Sequence, residues 1–278
     1  MLLVKRGANV TIVARNETKL KEAAEEIRAF QVSRDQKVIY ISADCASPSG
    51  TKEAIKKASD EHNGQIPYHV FLCAGQSLPG MFIEQDPSVF ERNMNINYLG
   101  SVYTAHESAR LMAENGVHGS ITFVSSVLGF FGLVGYSQYV PTKYAIRGLA
   151  DSLRNELKAY GINVHCYFPA TILTPGYDEE NKTKPNITKE IEGTDEGQTP
   201  EVCAQKMLDG LDRGEYFIAS DPLGWIFRSS CSGLAPGNNI ISDTILSLVG
   251  WVALPIWRTY ADYLVKASSK QNNKTKTH

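Results

Sequence analysis

Three residues with acid–base chemistry lie close together between positions 126 and 143 of the sequence. Tyr139 and Lys143 are four residues apart, so on a helix their side chains share one face. A free tyrosine has a pKa of about 10, and a neighbouring ammonium group would bring that pKa closer to the working pH, where proton transfer is most effective. Ser126 could hold a carbonyl oxygen beside the phenol. The three residues predict a site that transfers a proton to or from a carbonyl oxygen.

The elements around these residues favour that interpretation. The pattern predicts a strand over 119–126 and a helix over 136–160, with a glycine-rich segment between them. Ser126 then lies at the carboxyl end of a strand, the edge of an α/β sheet where ligands bind. A tyrosine and a lysine at helical spacing are common in proteins of this size. Ser126, thirteen residues before Tyr139, makes the combination more specific.

Strands and helices alternate along most of the chain. Strands are predicted over 9–14, 37–43, from Tyr68, over 119–126 and over 162–168, and helices are predicted from the N-cap Asn16 to about 30, up to about 62, and around the sequence MNINYLG. This alternation predicts an α/β fold with a doubly wound parallel sheet.

Composition limits the classes of function. With 278 residues, 42% of them hydrophobic, and a formal net charge of −2, the chain can form one large core and shows no general basis for nucleic-acid binding. The five cysteines are odd in number, widely spaced and contain no CxxC, which favours reduced thiols. The six histidines show no metal-ligand spacing, so no metal is expected.

With Ser126, Tyr139 and Lys143 at this spacing, the sequence resembles the short-chain dehydrogenase/reductase family. The resemblance implies a Rossmann-like fold and an oxidoreductase in which Tyr139 is the proton donor, Ser126 orients the carbonyl, and Lys143 holds the cofactor ribose and lowers the phenol pKa. Asn97, in the sequence NYLG, matches the family asparagine that kinks its helix and orders a proton-relay water. The alternative is that Asn97 lies on a solvated helix face.

The resemblance also implies contacts with a nicotinamide cofactor, to which Tyr139 and Lys143 contribute. Asp44 matches an aspartate that binds the adenine amino group, although an acidic residue after a strand is also a common helix cap. Ala74 and Gly75 follow Cys73, where the family usually has asparagine. The sequence PATILT resembles the family's PGxxxT turn. The backbone of Ile172 would meet the carboxamide, and Thr174 would reach cofactor oxygens.

Arg15 and Lys19 predict which cofactor is bound. They follow the strand VTIVA, where the adenosine ribose would lie. An acidic residue there binds a free 2′-hydroxyl group, whereas arginine accommodates a 2′-phosphate. NADPH is therefore expected, and the alternative is that Arg15 only solvates a strand end.

The beginning of the chain departs from the family. MLLVKRG reads as the end of a helix with a glycine stop, and the strand after it matches the family's second strand. The first strand and its TGxxxGxG turn, which binds the pyrophosphate at a helix N-terminus, would precede Met1. The sequence is therefore expected to be N-terminally truncated. The first apolar run is only three residues long, so no signal peptide is expected.

The segment after Thr174 and the apolar tail resemble those of fungal 3-ketodihydrosphingosine reductases. The likeness covers the sequence KPNITKEIEG, the catalytic segment GYSQYVPTK and the C-terminus. It implies NADPH-dependent reduction of 3-ketosphinganine, a long-chain sphingoid ketone, at the endoplasmic reticulum membrane. The polar stretch at about 175–200 is interpreted as a mobile lid over the substrate.

The tail itself points to a membrane. The run Thr244 to Trp257 has fourteen uncharged residues, about 21 Å as a helix, which is short of a hydrocarbon core of about 30 Å. A re-entrant or interfacial segment is expected, with Trp251, Trp257 and Tyr260 at the headgroups. The alternative is a helix buried between two copies of the chain, so a homo-oligomer stays open.

Basic residues follow the apolar run and predict that the catalytic domain faces the cytosol. They are Arg258, Lys266, Lys270, Lys274 and Lys276, against Asp262 alone. The last residues, KTKTH, resemble a dilysine retrieval signal of the endoplasmic reticulum.

The predicted organisation is a reductase domain over residues 1–220 and a membrane-associated segment over 221–278. Two alternatives remain open for the function. One is a catalytically impaired chain that acts as a membrane-bound partner, and the other is a reductase of a different long-chain or steroid ketone.

Overall fold

A computed structural model describes residues 1–193 and 196–275, and it describes side chains up to residue 268. Its strands are β1 (Val10–Ala14), β2 (Val38–Ser42), β3 (His69–Leu72), β4 (Ser120–Val124), β5 (Asn163–Phe168) and β6 (Phe217–Ala219). Its α-helices are α1 (Leu2–Lys5), α2 (Glu17–Arg28), α3 (Pro48–Glu61), α4 (Ser88–Asn93), α5 (Gly100–Glu114), α6 (Val140–Glu156), α7 (Pro175–Thr183), α8 (Asn186–Glu192), α9 (Pro200–Asp212), α10 (Pro222–Ser230) and α11 (Ile240–Thr275). A π-helical segment, Met94–Leu99, joins α4 to α5, and short 3₁₀ turns cover Phe82–Glu84, Val127–Gly129 and Leu157–Tyr160.

The strands form two sheets. β1 pairs with β2, and the other sheet has the order β3-β4-β5-β6. The pairs β1–β2, β3–β4 and β5–β6 are all parallel. Helices connect the parallel neighbours, as such pairs require, and the predicted Rossmann-like α/β class is confirmed. Within the described residues, the strands β1, β2, β3 and β6 each pair along one edge only.

The chain divides into two compact units, and the first contains residues 1–75, 95–123 and 148–165. Part of its core is formed by Val4 of α1, two residues of α2 and Val38 of β2. The buried amide of Gln36 donates to the carbonyl oxygens of Val4 and Ala8, both at 2.9 Å. These bonds fasten the residues around α1 to the loop before β2.

The second unit contains residues 76–94, 124–147 and the described residues from 166 onward. Tyr167, Cys203 and Ile218 form one of its buried clusters, and the ring of Phe130 packs on Phe168 with centroids 4.2 Å apart. The unit therefore joins the carboxyl halves of the last strands to the helices that follow them. The predicted boundary at residue 220 stays a prediction.

The polar stretch after Thr174 is largely helical. It forms α7 and α8, which each begin beside a proline. The hydroxyl of Thr174 caps α7 by accepting a hydrogen bond from the amide of Tyr177 at 3.2 Å. The polar residues here form the solvated faces of two short helices, and the role of this stretch as a substrate lid stays a prediction.

The tail is also longer than expected. α11 is one helix in which the stretch Ile240–Ser268, 29 residues long, has the length and apolar composition to cross a membrane. At 1.5 Å per residue this stretch spans about 43 Å, more than a hydrocarbon core of about 30 Å. The helix is longer than expected because it continues beyond both ends of the uncharged run, and the re-entrant or interfacial placement stays a prediction. Lys276 lies outside the described residues, and the side chains of Lys270 and Lys274 are not described.

One side of α11 packs on its own unit. Asp243 pairs with Arg228 of α10 at 2.5 Å, and Ser247 donates to the carbonyl of Ser229 at 2.7 Å. Trp257 was expected at a headgroup layer, but its ring contacts Phe131 edge-on at 5.4 Å. The exposed apolar residues of the helix are Ile240, Ile241, Ile245, Leu248, Val249, Trp251, Val252, Ile256, Tyr260 and Tyr263.

The environment of His69 predicts how stability depends on pH. Its ring stacks on Phe71 at 4.1 Å, its Nε2 lies 2.8 Å from the hydroxyl of Thr122, and burial, with a smaller effect of His165, lowers its pKa to about 4. In the unfolded chain His69 takes up a proton with a pKa near 6.5, whereas in the folded chain it does so only near pH 4. The folded state therefore loses no stability to this protonation above pH 6.5. We expect the free energy of unfolding to fall by up to about 3 kcal/mol as the pH drops from 6.5 to 4.

Urea unfolding at several pH values would measure this loss. His69→Gln should remove most of the loss between pH 6.5 and 4, whereas His106→Gln, at an exposed position, should retain it. Equal pH dependence in the wild type and His69→Gln would show that His69 is not its source.

Candidate active site

Backbone hydrogen bonds on both sides fix Ser126 at the exit of β4. The amide of Ser125 donates to the carbonyl of Tyr167 at 2.8 Å, and that of Val127 donates to Pro169 at 2.9 Å. The side chain of Ser126 is buried, and its oxygen accepts the amide of Leu128 at 3.2 Å. The hydroxyl therefore has a fixed position at the carboxyl end of the strand, and its proton is left to donate elsewhere.

Tyr139 lies just before α6 rather than inside a helix that starts at 136, as was predicted. The amides of Tyr139 and Val140 both donate to the carbonyl of Tyr136 at 2.9 Å, which makes a turn ahead of the helix. The helix therefore begins after this turn, at Val140. The amide of Lys143 still donates to the carbonyl of Tyr139, at 3.3 Å, so the spacing of four residues retains its geometric meaning.

Lys143 is buried and anchored to the end of β4. Its Nζ donates to the carbonyl of Val124 at 3.0 Å and lies 5.3 Å from the centre of the Tyr139 ring. The hydroxyl of Ser125 donates to the carbonyl of Lys143 at 3.0 Å. The structure thus brings together Ser126, Tyr139 and Lys143, the three residues that the sequence selected.

The phenol of Tyr139 is held in its protonated form. Burial raises its pKa above the usual value, the carboxylate of Glu180 raises it further, and a hydrogen bond with Ser126 partly opposes them. Lys143 donates a hydrogen bond to Val124, and the predicted lowering of the phenol pKa by this lysine stays a prediction. At neutral pH Tyr139 can donate a proton.

A polar cluster beside Tyr139 was missed by the sequence analysis. We call Tyr136, Glu180, Lys184 and Glu192 the Tyr136 cluster. The hydroxyl of Tyr136 lies 2.6 Å from Glu180 and 2.9 Å from Glu192, and Lys184 lies 2.7 Å from Glu192 and 3.4 Å from Glu180. Glu180 and Lys184 are four residues apart, but Tyr136 lies 44 and 56 residues from the two glutamates that it contacts. Local spacing therefore gives no signal for the contacts of Tyr136.

Asn97 is completely buried in the π-helical segment of the first unit. The alternative that it lies on a solvated helix face is therefore wrong. Its carbonyl accepts the hydroxyl of Ser101 at 2.8 Å. A π-helical segment is uncommon and often found at functional sites, and it provides the irregularity that was expected at this asparagine. Its role in a proton relay stays a prediction.

Four of the predicted cofactor-binding residues lie just beyond strand ends in the first unit. Arg15 follows β1, Asp44 follows β2, and Ala74 and Gly75 follow β3, all in exposed positions. The parallel register pairs Ala14 with Ser42, which places Arg15 and Asp44 at the same edge of the sheet. Lys19 is exposed in the first turn of α2.

These residues fit the adenosine end of a phosphorylated dinucleotide. The carbonyl of Arg15 accepts the hydroxyl of Ser42 at 3.0 Å, which fixes its backbone, while the exposed guanidinium can bind a 2′-phosphate in bidentate fashion. Asp44 accepts the amide of Ala46 at 3.0 Å with one carboxylate oxygen, so its other oxygen can accept an amino group.

Ile172 and Thr174 lie in the second unit, after β5. Ile172 forms an isolated parallel bridge with Gln198, and the hydrogen bonds of this bridge use the backbone of its neighbours Thr171 and Leu173. The peptide groups of Ile172 itself are thus suited to the predicted contact with a carboxamide. The hydroxyl oxygen of Thr174 accepts the amide of Tyr177 at the start of α7. Its hydroxyl proton remains able to donate to a cofactor oxygen.

Within residues 1–193 and 196–275, no group of three or more His, Cys, Asp or Glu residues is arranged to hold a metal ion. The five cysteines form no disulfide with one another.

The chain is similar to known proteins. Residues 1–185 match the family described as short chain dehydrogenase. The chain is 43% identical over 265 residues to a PIGF/3-ketodihydrosphingosine reductase fusion protein of Schizosaccharomyces pombe, covering 95% of this chain and 53% of the fusion protein. It therefore spans about half the length of that relative. It is 41% identical to a 3-ketodihydrosphingosine reductase of Cryptococcus neoformans, covering 95% of this chain and 79% of the relative.

A solved structure gives the same fold. The chain matches a short-chain dehydrogenase of Sphingobium yanoikuyae, solved in complex with NADPH, with a TM-score of 0.66 and 24% identity over 78% of this chain and 80% of that one.

Gly135 couples the catalytic segment to α8, and its substitution should be costly. A Cβ at this position would contact the hydroxyl of Thr188 and lie 3.2 Å from the ring of Pro185, and its positive φ strains other residues by about 1–2 kcal/mol. We expect Gly135→Ala to lower the free energy of unfolding by about 2 kcal/mol, measured by chemical denaturation.

Gly132→Ala is the matched control from the same segment, because nothing lies within 4 Å of a Cβ added there. It should change the free energy of unfolding by less than about 0.5 kcal/mol. Similar losses in both variants would rule out a special constraint at Gly135.

Proposed function

Because the chain belongs to the short-chain dehydrogenase family, we propose that it is an NADPH-dependent reductase that converts the ketone of 3-ketosphinganine to the alcohol sphinganine in sphingolipid biosynthesis. The observation that carries this proposal is the protonated phenol of Tyr139, hydrogen-bonded to Ser126 and adjacent to the anchored Lys143. The curated relatives that reduce 3-ketodihydrosphingosine support the choice of substrate.

Each residue of the site has a separate task in this reaction. Ser126 donates its hydroxyl proton to the substrate carbonyl and orients it. Tyr139 transfers its own proton to the same oxygen as negative charge develops there. Lys143 holds the cofactor ribose, and Asn97 is proposed to supply the proton relay. NADPH, when bound, supplies the hydride.

The protonated phenol of Tyr139 is the form that reduction requires. Reduction of a ketone needs a proton donor at the oxygen, whereas oxidation of an alcohol needs a base. Burial raises the pKa of Tyr139, so the phenol keeps its proton throughout the neutral range and can act as that donor.

The proposed cofactor contacts begin at the adenosine end. Arg15 and Lys19 would bind the 2′-phosphate, Asp44 the adenine amino group, and Ala74 and Gly75 would allow close approach of the backbone. The backbone of Ile172 and the hydroxyl of Thr174 would bind the nicotinamide end, with Tyr139 and Lys143 at the ribose.

The apolar face of α11 supports a membrane as the source of the long-chain substrate. Helix α11 contacts the catalytic segment directly, because Arg258 donates to the carbonyl of Gly132 at 3.2 Å and Trp257 packs on Phe131. We propose that this helix associates with the endoplasmic reticulum membrane and that the catalytic residues face the cytosol. The basic residues after Trp257 favour that orientation.

Replacing the proposed proton donor should reduce catalysis without affecting the fold. We expect Tyr139→Phe to lower the turnover of 3-ketosphinganine by about 10²–10⁴-fold, the usual contribution of a general acid. Consumption of NADPH under saturating substrate measures this change. Tyr160→Phe, at an exposed tyrosine, should behave as the wild type, and near-normal turnover in Tyr139→Phe would exclude its role.

Replacing Arg15 should change the choice of cofactor. Arg15→Ala should weaken the binding of NADPH by about 10–100-fold and that of NADH far less, because only NADPH carries the 2′-phosphate. Binding isotherms with each cofactor measure the ratio. Arg34→Ala, at another exposed arginine of the first unit, serves as the control. Equal losses for NADPH and NADH would show that Arg15 has only a structural role.

A further inference from the structure

The Tyr136 cluster carries an unbalanced charge close to the proposed proton donor. It contains two carboxylates and a single ammonium group, since Tyr136 is neutral. The side chain of Lys184 is 1% exposed, against 18% for Glu180 and 25% for Glu192. The cluster is therefore one negative charge in excess, and both carboxylates retain access to solvent or to a ligand.

Hydrogen bonding within the cluster is incomplete in a way that favours one more donor. The hydroxyl of Tyr136 lies within hydrogen-bonding distance of both carboxylates, but a phenol has one proton and can donate fully to only one of them. Lys184 is closer to Glu192 than to Glu180 by 0.7 Å, from distances of 2.7 and 3.4 Å. Tyr136 is closer to Glu180, at 2.6 Å against 2.9 Å for Glu192, so each carboxylate has one close donor and further acceptor capacity. Of the two, only Glu180 is among the charges that act on Tyr139.

The cluster is adjacent to the reacting group. Tyr136 and Tyr139 belong to one turn, and their ring centroids are 6.0 Å apart. Gln138, from the same turn, is 2% exposed, and neither polar end of its amide has a hydrogen-bond partner within the described part of the chain. Buried polar groups are normally satisfied, so this amide is a second indication that polar groups of a ligand complete the turn.

Resting on the function proposed above, we propose that Glu180 binds the ammonium group of the substrate and thereby selects 2-amino ketones over neutral ones. In 3-ketosphinganine the amino group is on the carbon next to the ketone, so a carboxylate beside Tyr139 can bind the ammonium while the phenol reaches the carbonyl oxygen. An ammonium group brings three donors and one positive charge, which matches the missing donor and the excess charge of the cluster.

This contact would also help the chemistry. The charge of Glu180 is among the causes that raise the pKa of Tyr139. A substrate ammonium neutralises that charge, so the phenol becomes a better acid only when an amino ketone is bound. A neutral ketone of the same length would leave the proton donor in its weaker state.

A pair of ketones tests the proposal. The first is 3-ketosphinganine, and the second is 1-hydroxyoctadecan-3-one, which lacks only the amino group. We expect the wild type, presented with both in mixed detergent micelles, to show a kcat/KM about 10–100-fold higher for the amine, the usual effect of a hydrogen bond to a charged group.

Glu180→Gln should remove that preference selectively. Its amide oxygen can still accept the hydroxyl of Tyr136, so circular dichroism should show an unchanged fold. The kcat/KM for 3-ketosphinganine should fall by about 10–100-fold, while that for the neutral ketone should stay the same or rise. Glu179→Gln is the matched control. Glu179 precedes Glu180 on α7, but its side chain is 69% exposed and pairs with Lys182. Glu180→Asp, which keeps the charge, should retain part of the preference.

Binding of the products gives a readout that does not depend on turnover. The wild type should bind sphinganine more tightly than octadecane-1,3-diol, and Glu180→Gln should bind both alike. Two outcomes would overturn the inference: equal use of both ketones by the wild type, or equal loss on both in Glu180→Gln. If the wild type reduces neither ketone, the proposed function fails, and the binding comparison still decides the role of Glu180.

Discussion

The whole site depends on the phenol of Tyr139, which is buried away from water and still hydrogen-bonded to Ser126. Burial of Tyr139 keeps its proton in place, and the hydrogen bond with Ser126 provides the route toward a carbonyl oxygen. The fold around it serves this constraint. The end of β4 fixes Ser126 and receives the ammonium of Lys143, and the turn closed by the carbonyl of Tyr136 fixes where α6 begins.

Much of this arrangement could be predicted from the sequence, because it follows from local patterns. Alternating apolar runs indicated the strands and helices, and the spacing of Ser126, Tyr139 and Lys143 indicated their proximity. The direction of the pKa shift at Tyr139 could not be predicted, because it depends on how much water the fold excludes and on a carboxylate 41 residues away in the chain. The contacts of Tyr136 in the Tyr136 cluster could not be predicted either, because they join residues 44 and 56 positions apart in the sequence.

The tail shows a different limit of sequence reasoning. Counting uncharged residues gave a short segment, but α11 extends through Asp243 and Arg258, whose charges are paired with Arg228 and with the carbonyl of Gly132. A charge that finds a partner on its own protein does not end a helix. Trp257 and Arg258 of α11 contact the segment between Ser126 and Tyr139. A shift of the helix caused by a lipid surface would therefore be transmitted to the neighbourhood of the catalytic residues.

Two of the four edge strands have a practical consequence for handling the protein. β1 reads VTIVA and β3 reads HVFL, and in the described structure each has one edge without a strand partner. Short segments rich in β-branched or aromatic residues and without Lys, Arg, Asp or Glu are templates for pairing with another chain. Concentrated samples should therefore be prone to slow, concentration-dependent self-association through backbone pairing, even where detergent covers α11. Dilute storage and early light-scattering measurements are the sensible precautions.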